Sequence, residues 1–171
     1  MADINVTAIK PRRPADAPAG EPIWDLIELL FFAYRDFTAE PDVILAQYGF
    51  GRAHHRVIHF VGRHPQMTVT ELLGILGITK QSLSRVLGHL VRHEFIRQHP
   101  GSHDRRQRLL ELTHKGRELE RQVSEPQRTR IASAYRRAGA RAVEGFRQVM
   151  LEIIASEEDR RRFDRNRRTK Q

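Results

Sequence analysis

A mainly α-helical chain with one small β-hairpin is predicted by three observations. Apolar residues recur at helical spacing in several stretches between Ile23 and Ile153. A capping signature and a glycine turn divide residues 68–90 into two short helices. Two strand-like runs joined by a polar tip follow the second of these helices directly. Together they predict a winged helix-turn-helix flanked by N- and C-terminal dimerisation helices.

The charge pattern agrees with such a fold. The 171 residues carry 30 Lys and Arg against 21 Asp and Glu, a formal charge of +9. That balance favours a polyanion such as nucleic acid, or an acidic membrane surface. The excess is localised: residues 21–51 hold one basic and six acidic residues, whereas 52–115 hold eleven basic and four acidic. A general polycation would not be arranged this way. There is no cysteine, which excludes thiolate catalysis, disulfides and thiol-based redox sensing. With no signal-peptide core and no run approaching a membrane span, a soluble cytoplasmic protein is expected.

Taken in order, residues 1–20 contain Pro11, Pro14, Pro18 and Gly20 with little apolar content and read as a flexible arm. Ile23, Ile27, Leu30, Tyr34 and Phe37 then follow helical spacing, and Trp24, Leu26 and Phe31 widen the stripe. So wide a stripe fits either a deeply buried core helix or a dimer-forming one. Ala53, Val57, Phe60 and Val61 mark a second helix that should end near His64-Pro65.

Thr68 and Glu71 form a capping box, in which each residue's side chain meets the other's backbone N–H. Val69, Leu72, Leu73 and Leu76 give the apolar face of a short helix, and Gly77 ends it in the left-handed region. Thr79 caps the next helix, with Leu83, Val86, Leu87 and Leu90 as its inner face. Residues 95–99 and 108–112 form strands, and the tip between them, 100–106, is charged. Beyond Thr113 the pattern is helical again, with a kink or restart expected at Pro126. A last amphipathic helix holds Ala142, Phe146, Val149, Met150 and Ile153, followed by a frayed, charged tail.

On the second short helix, Gln81, Ser84, Arg85, Gly88 and Arg92 lie opposite the apolar face. These types suit a major groove: Arg can hold guanine and Gln adenine with paired hydrogen bonds, and Gly permits close approach. Thr79, Lys80 and Ser82 stand at the helix start, where free N–H groups favour a phosphate. In the wing, Arg105 or Arg106 is placed to enter the minor groove, and His103 to meet a phosphate. Asp104 would be repelled by DNA unless it pairs with a wing arginine and sets its direction.

The stretch from Ile78 to Leu87, the Asp104-x-Arg106 pattern, and Leu112-Thr113-x-Lys115-Gly116 resemble the MarR regulators, and within them the PetP-type group. The likeness runs from about Ile23 to Ile154, with its specific motifs in 68–116. It implies a six-helix subunit and a homodimer formed by the terminal helices, bound to a pseudo-palindromic double-stranded DNA operator. It also implies that Gln81, Ser82, Ser84 and Arg85 read the groove, that Arg106 is the wing arginine and that Asp104 orients it. Gly88 and His89 depart from many relatives late in that helix. The resulting domain reading places the arm at 1–20, a MarR-like domain at 21–155 and the tail at 156–171. Within that domain the winged helix-turn-helix occupies 52–115 and dimerisation helices occupy 22–39 and 115–155.

Many MarR proteins bind small anionic aromatics between the DNA-binding lobe and the dimer helices. Such an effector pocket would here draw on Trp24, Phe31, Arg56 and His59, which serve equally as packing residues. His55 and His59 have the i, i+4 spacing that can hold zinc, but no Cys exists and no Asp or Glu lies between Arg52 and His64. No metal or cofactor is therefore expected. A Gly-rich phosphate loop, a nucleophile elbow and paired apolar-set carboxylates are all missing from the sequence, so no enzyme is expected either. The remaining alternative is a winged helix that binds structured RNA or a partner protein.

Overall fold

The computed structural model describes residues 23–101, 104 and 106–168, with side chains as far as Phe163. Among the described residues seven helices and three short strands follow one another: α1 (Ile23–Ala46), α2 (Arg52–Arg63), β1 (Met67–Thr68), α3 (Val69–Leu76), α4 (Lys80–Arg92), β2 (Ile96–Pro100), β3 (Arg108–Leu112), α5 (His114–Ala138), α6 (Ala140–Ile153) and α7 (Glu157–Arg168). They form two compact units, the first ending at Thr129 and the second beginning at Arg130.

The first unit is built around the helix-turn-helix. Thr68 Oγ1 accepts the Glu71 N–H at 3.1 Å while Glu71 Oε2 accepts the Thr68 N–H at 2.7 Å, closing the box that starts α3. A cap of this kind contributes roughly 1 kcal/mol. Gly77 ends α3 at φ +60°, where a β-carbon would be strained. Thr79 Oγ1 then accepts the Ser82 N–H at 3.2 Å and starts α4. Leu83, Val86, Leu87 and Leu90 of α4 are buried with Leu72 and Leu76 of α3, Val57, Ile58 and Val61 of α2, and Phe95, Ile96, Leu110 and Leu112 of the hairpin. Each such aliphatic side chain contributes about 1.5–3 kcal/mol when fully buried.

The sheet is antiparallel in the order β1-β3-β2. Ile96 pairs with Leu112 and Arg97 with Glu111, and their side chains form a 3.2 Å ion pair across the strands. Strand β1 was not foreseen. Its two residues pair with Leu110 and Leu109, a contact that no local pattern announces.

Helix α1 runs further than the expected end near residue 39, passing through Pro41 to Ala46. Proline has no N–H, so it leaves the carbonyl four residues earlier without its helical partner. That carbonyl belongs to Phe37, and the buried amide of Gln127 on α5 donates to it at 3.2 Å. The tertiary bond replaces the missing local one, and the helix continues. Helix α5 likewise runs through Pro126 without a restart. The interruption falls instead at Gly139, φ +82°, within the second unit.

The deeply buried reading of the first helix is not what the chain adopts. Trp24 is 77% and Phe31 69% exposed, and Ile23, Leu26, Leu29, Leu30 and Phe32 are exposed beside them. In the second unit α6 buries no residue and exposes Phe146, Val149 and Ile153. The expected frayed tail is helix α7 through Arg168. It starts with Ser156 Oγ accepting the Asp159 N–H, and carries Arg161–Glu157 and Arg162–Glu158 pairs one turn apart.

Candidate nucleic-acid interface

Helix α4 presents Gln81, Ser84, Arg85 and Arg92 to solvent, with Ser82, Gly88 and His89 half-buried at the edges of the same face. Lys80 and Thr79 are exposed at its start. The Thr79 and Ser82 side chains are committed to the cap, since Thr79 also donates to Ser82 Oγ at 3.0 Å. Arg85 makes no hydrogen bond or ion pair with the described residues. A guanidinium left free on a rigid helix is suited to bind something other than its own chain.

The helix is held from three sides. At the α3 end, Arg56 of α2 donates from Nη2 to the Leu76 carbonyl at 2.9 Å, placing a cation at the negative end of that helix. At the α4 end, Lys115 Nζ donates to the His93 carbonyl at 3.1 Å and lies 4.4 Å from the Phe95 ring centroid. Thr113 Oγ1 donates to the Glu94 carbonyl at 2.6 Å and accepts the Gly116 N–H at 3.0 Å. Gly116 is packed so closely on the Phe95 carbonyl that a β-carbon would overlap it. The Leu112–Gly116 motif is therefore a clamp that joins the end of α4, the root of the wing and the start of α5. At the same end of α4, His54 of α2 lies against His89 at 3.0 Å.

In the wing, Asp104 Oδ1 accepts the Arg106 backbone N–H at 2.9 Å, and the Asp104 carbonyl accepts the Gln107 N–H at 3.1 Å. The expectation that Asp104 orients an arginine side chain is corrected for Arg106: the carboxylate shapes the backbone of the turn. Arg106 is exposed. His103 and Arg105 lie outside the described residues.

A cavity of 410 Å³ opens between α1, α2 and α5, lined among others by Tyr34, Phe37, Arg52, Arg56, His59 and Phe60. Of the four residues expected there, Arg56 and His59 line it, whereas Trp24 and Phe31 stand on the exposed face of α1. Arg52, His55 and Gln127, also on the cavity wall, were missed. The run of basic residues at i, i+3/i+4 in α2 was the available signal. Arg52 pairs with Asp42 at 2.9 Å and lies 5.3 Å over the Tyr34 ring. Burial lowers the proton affinity of both His55 and His59 from the ordinary imidazole value, which favours their neutral forms. Among the described residues no group of three His, Asp or Glu is placed to hold a metal ion.

A helix-turn-helix with an exposed polar helix and a clamped wing defines a winged-helix fold, and the chain belongs to the MarR family of transcriptional regulators. The family model described as MarR family matches residues 48–107. The chain is 53% identical over 142 residues to the HTH-type transcriptional regulator PetP of Rhodobacter capsulatus, a match covering 78% of this chain and 86% of that protein. These relatives are regulators of transcription, not enzymes. Among solved structures, Streptococcus pneumoniae FabT in complex with DNA is similar with a TM-score of 0.67 at 18% identity, covering 77% of this chain and 94% of that one. A mutant MarR from E. coli complexed with operator DNA gives 0.60 at 19% identity, covering 77% and 95%. At these identities the two structures establish the fold.

Proposed function

We propose that the chain binds double-stranded DNA sequence-specifically, as a homodimer on a pseudo-palindromic operator. Helix α4 lies in the major groove and the wing, through Arg106, reaches the minor groove. The observation that carries this reading is the free Arg85 on the exposed face of α4, flanked by Gln81 and Ser84, on a helix capped at its start by Thr79 and held at its end by Lys115. Side chains that read base edges need a fixed scaffold, because a small displacement loses paired hydrogen bonds. Dimerisation is supported by the apolar faces of α1 and α6, which stay open to water in the single chain. Contiguous apolar surface of that kind marks an interaction site.

The cavity beside α2 supports a small anionic aromatic effector. It combines the Phe37 and Phe60 rings with the Arg52 and Arg56 guanidinium groups. Arg56 also holds the last carbonyl of α3, so an anion that draws it into the cavity loosens the helix-turn-helix at that point. No helix of the described residues is long and apolar enough to cross a membrane, and no membrane partner is proposed.

The test is a titration against a duplex selected from a random pool. Two subunits should bind per site, with half-sites about one helical turn, ~10 bp, apart. Inserting about half a turn between the half-sites should abolish tight binding, since the second α4 then faces the wrong side of the duplex. One subunit per site, or binding indifferent to the insertion, overturns the dimeric reading. Equal binding of structured RNA overturns the groove reading.

A further inference from the structure

Three histidines meet where α2 begins and α4 ends. His54 Nδ1 accepts the Gly51 N–H at 3.1 Å, so the proton of a neutral His54 sits on Nε2. That Nε2 lies 3.0 Å from His89 Nδ1, which must accept, leaving the His89 proton on Nε2. A backbone amide cannot reverse its role, so the chain from Gly51 to His54 to His89 has one direction. The Phe50 ring stacks on His54 at 4.7 Å and meets His89 edge-on at 5.2 Å. The His93 ring stands edge-on to His89 at 4.6 Å.

The charged side chains around the pair are mostly cations. Arg52 of α2 and Arg85 and Arg92 of α4 line the same cleft. Lys115 of α5 holds the His93 carbonyl, and Asp42 of α1 is engaged by Arg52. Burial first, and the neighbouring His89 second, push His54 below the ordinary imidazole range.

We propose that His54 is a positioning residue for the recognition helix, acting through its hydrogen bond to His89, and that this bond makes sequence discrimination proton-sensitive. The proposal rests on the DNA-binding reading above. His89 lies one turn from both Arg85 and Arg92, so the pair pins the part of α4 that carries the groove-facing arginines. A proton added to His54 must go to Nδ1, where it opposes the Gly51 N–H. That breaks the chain of bonds from Gly51 through His54 to His89. The imidazolium formed also attracts phosphate on any duplex, whatever its sequence. Loss of positioning lowers specific binding and gain of charge raises non-specific binding, so both effects reduce the ratio of the two affinities.

Burial holds the His54 proton affinity below that of a free imidazole, so its bond to His89 persists through neutral pH and is lost only as pH falls below the ordinary imidazole value. The experiment measures affinity for the selected duplex and for a scrambled duplex between pH 7.5 and 5.5 at constant ionic strength. For the full-length chain the ratio should fall about fivefold, the worth of one neutral hydrogen bond. His54→Asn keeps an acceptor for the Gly51 N–H but neither reaches His89 nor titrates. Its ratio should already be about fivefold lower at pH 7.5 and should change little on acidification. Nitrogen-15 spectra of the histidine rings, which need no variant and no DNA, should show His54 and His89 as Nε2–H tautomers at pH 7.5. The same pH profile in both proteins, or an Nδ1–H tautomer at His54, overturns the proposal alone. A wild-type ratio near one already at pH 7.5 overturns the DNA-binding reading and the proposal with it.

Discussion

Arg85→Ala is expected to cost about 1–3 kcal/mol of operator affinity per half-site, the usual worth of a paired arginine contact to a base. Affinity for unrelated duplexes should stay near the wild-type value, because phosphate contacts from other side chains supply most of it. The side chain is exposed and makes no bond to the described residues, so its removal leaves the fold intact. Fluorescence anisotropy against the selected and scrambled duplexes gives both numbers, and an unchanged melting temperature excludes an indirect effect. An equal loss on both duplexes would make Arg85 a phosphate contact. No loss on either would remove it from the interface.

Gly116→Ala is expected to destabilise the first unit by about 3 kcal/mol or more, at or above the upper end for overpacking. The added carbon would overlap the Phe95 carbonyl, a backbone atom that also accepts from the Thr113 N–H at 3.1 Å and cannot step aside cheaply. The melting temperature should fall on the order of 10 °C. Gly88→Ala is the control. Its added methyl meets only the flexible guanidinium of Arg92 at 3.4 Å. That substitution should leave stability unchanged or raise it by up to about 1 kcal/mol, the difference in helix propensity. Thermal denaturation followed by circular dichroism separates the two, and a Gly116→Ala protein as stable as wild type would contradict the clamp described for Leu112–Gly116.

What the sequence made legible was local. The Thr68–Glu71 box, the Gly77 stop and the Thr79 cap each involve groups within four residues, and each is found where expected. The buried face of α4 follows from helical spacing alone. Elements settled by distant partners were not legible. Helix α1 outlasts Pro41 because Gln127 supplies a donor from 90 residues away. Strand β1 exists because Leu109 and Leu110 offer a free edge. The site shows the same division. Helical spacing was enough to set Gln81, Ser84 and Arg85 on one exposed face. It could not show that Arg56 reaches the Leu76 carbonyl, that His54 meets His89, or that Asp104 bonds to backbone. For the cavity, Arg56 and His59 followed from their place on α2. Trp24 and Phe31 were drawn in by residue type, although the helix turns them outward.

On this reading the exposed face of α4 recognises sequence. The most direct test compares wild-type affinity for a duplex selected from a random pool with affinity for a scrambled duplex of the same composition, at 150 mM salt. Specific recognition by α4 and the wing should give a ratio of roughly 10³ or more. A ratio near one, with both affinities falling together as salt rises, would mean a basic surface that holds phosphate and reads nothing, and would contradict the account.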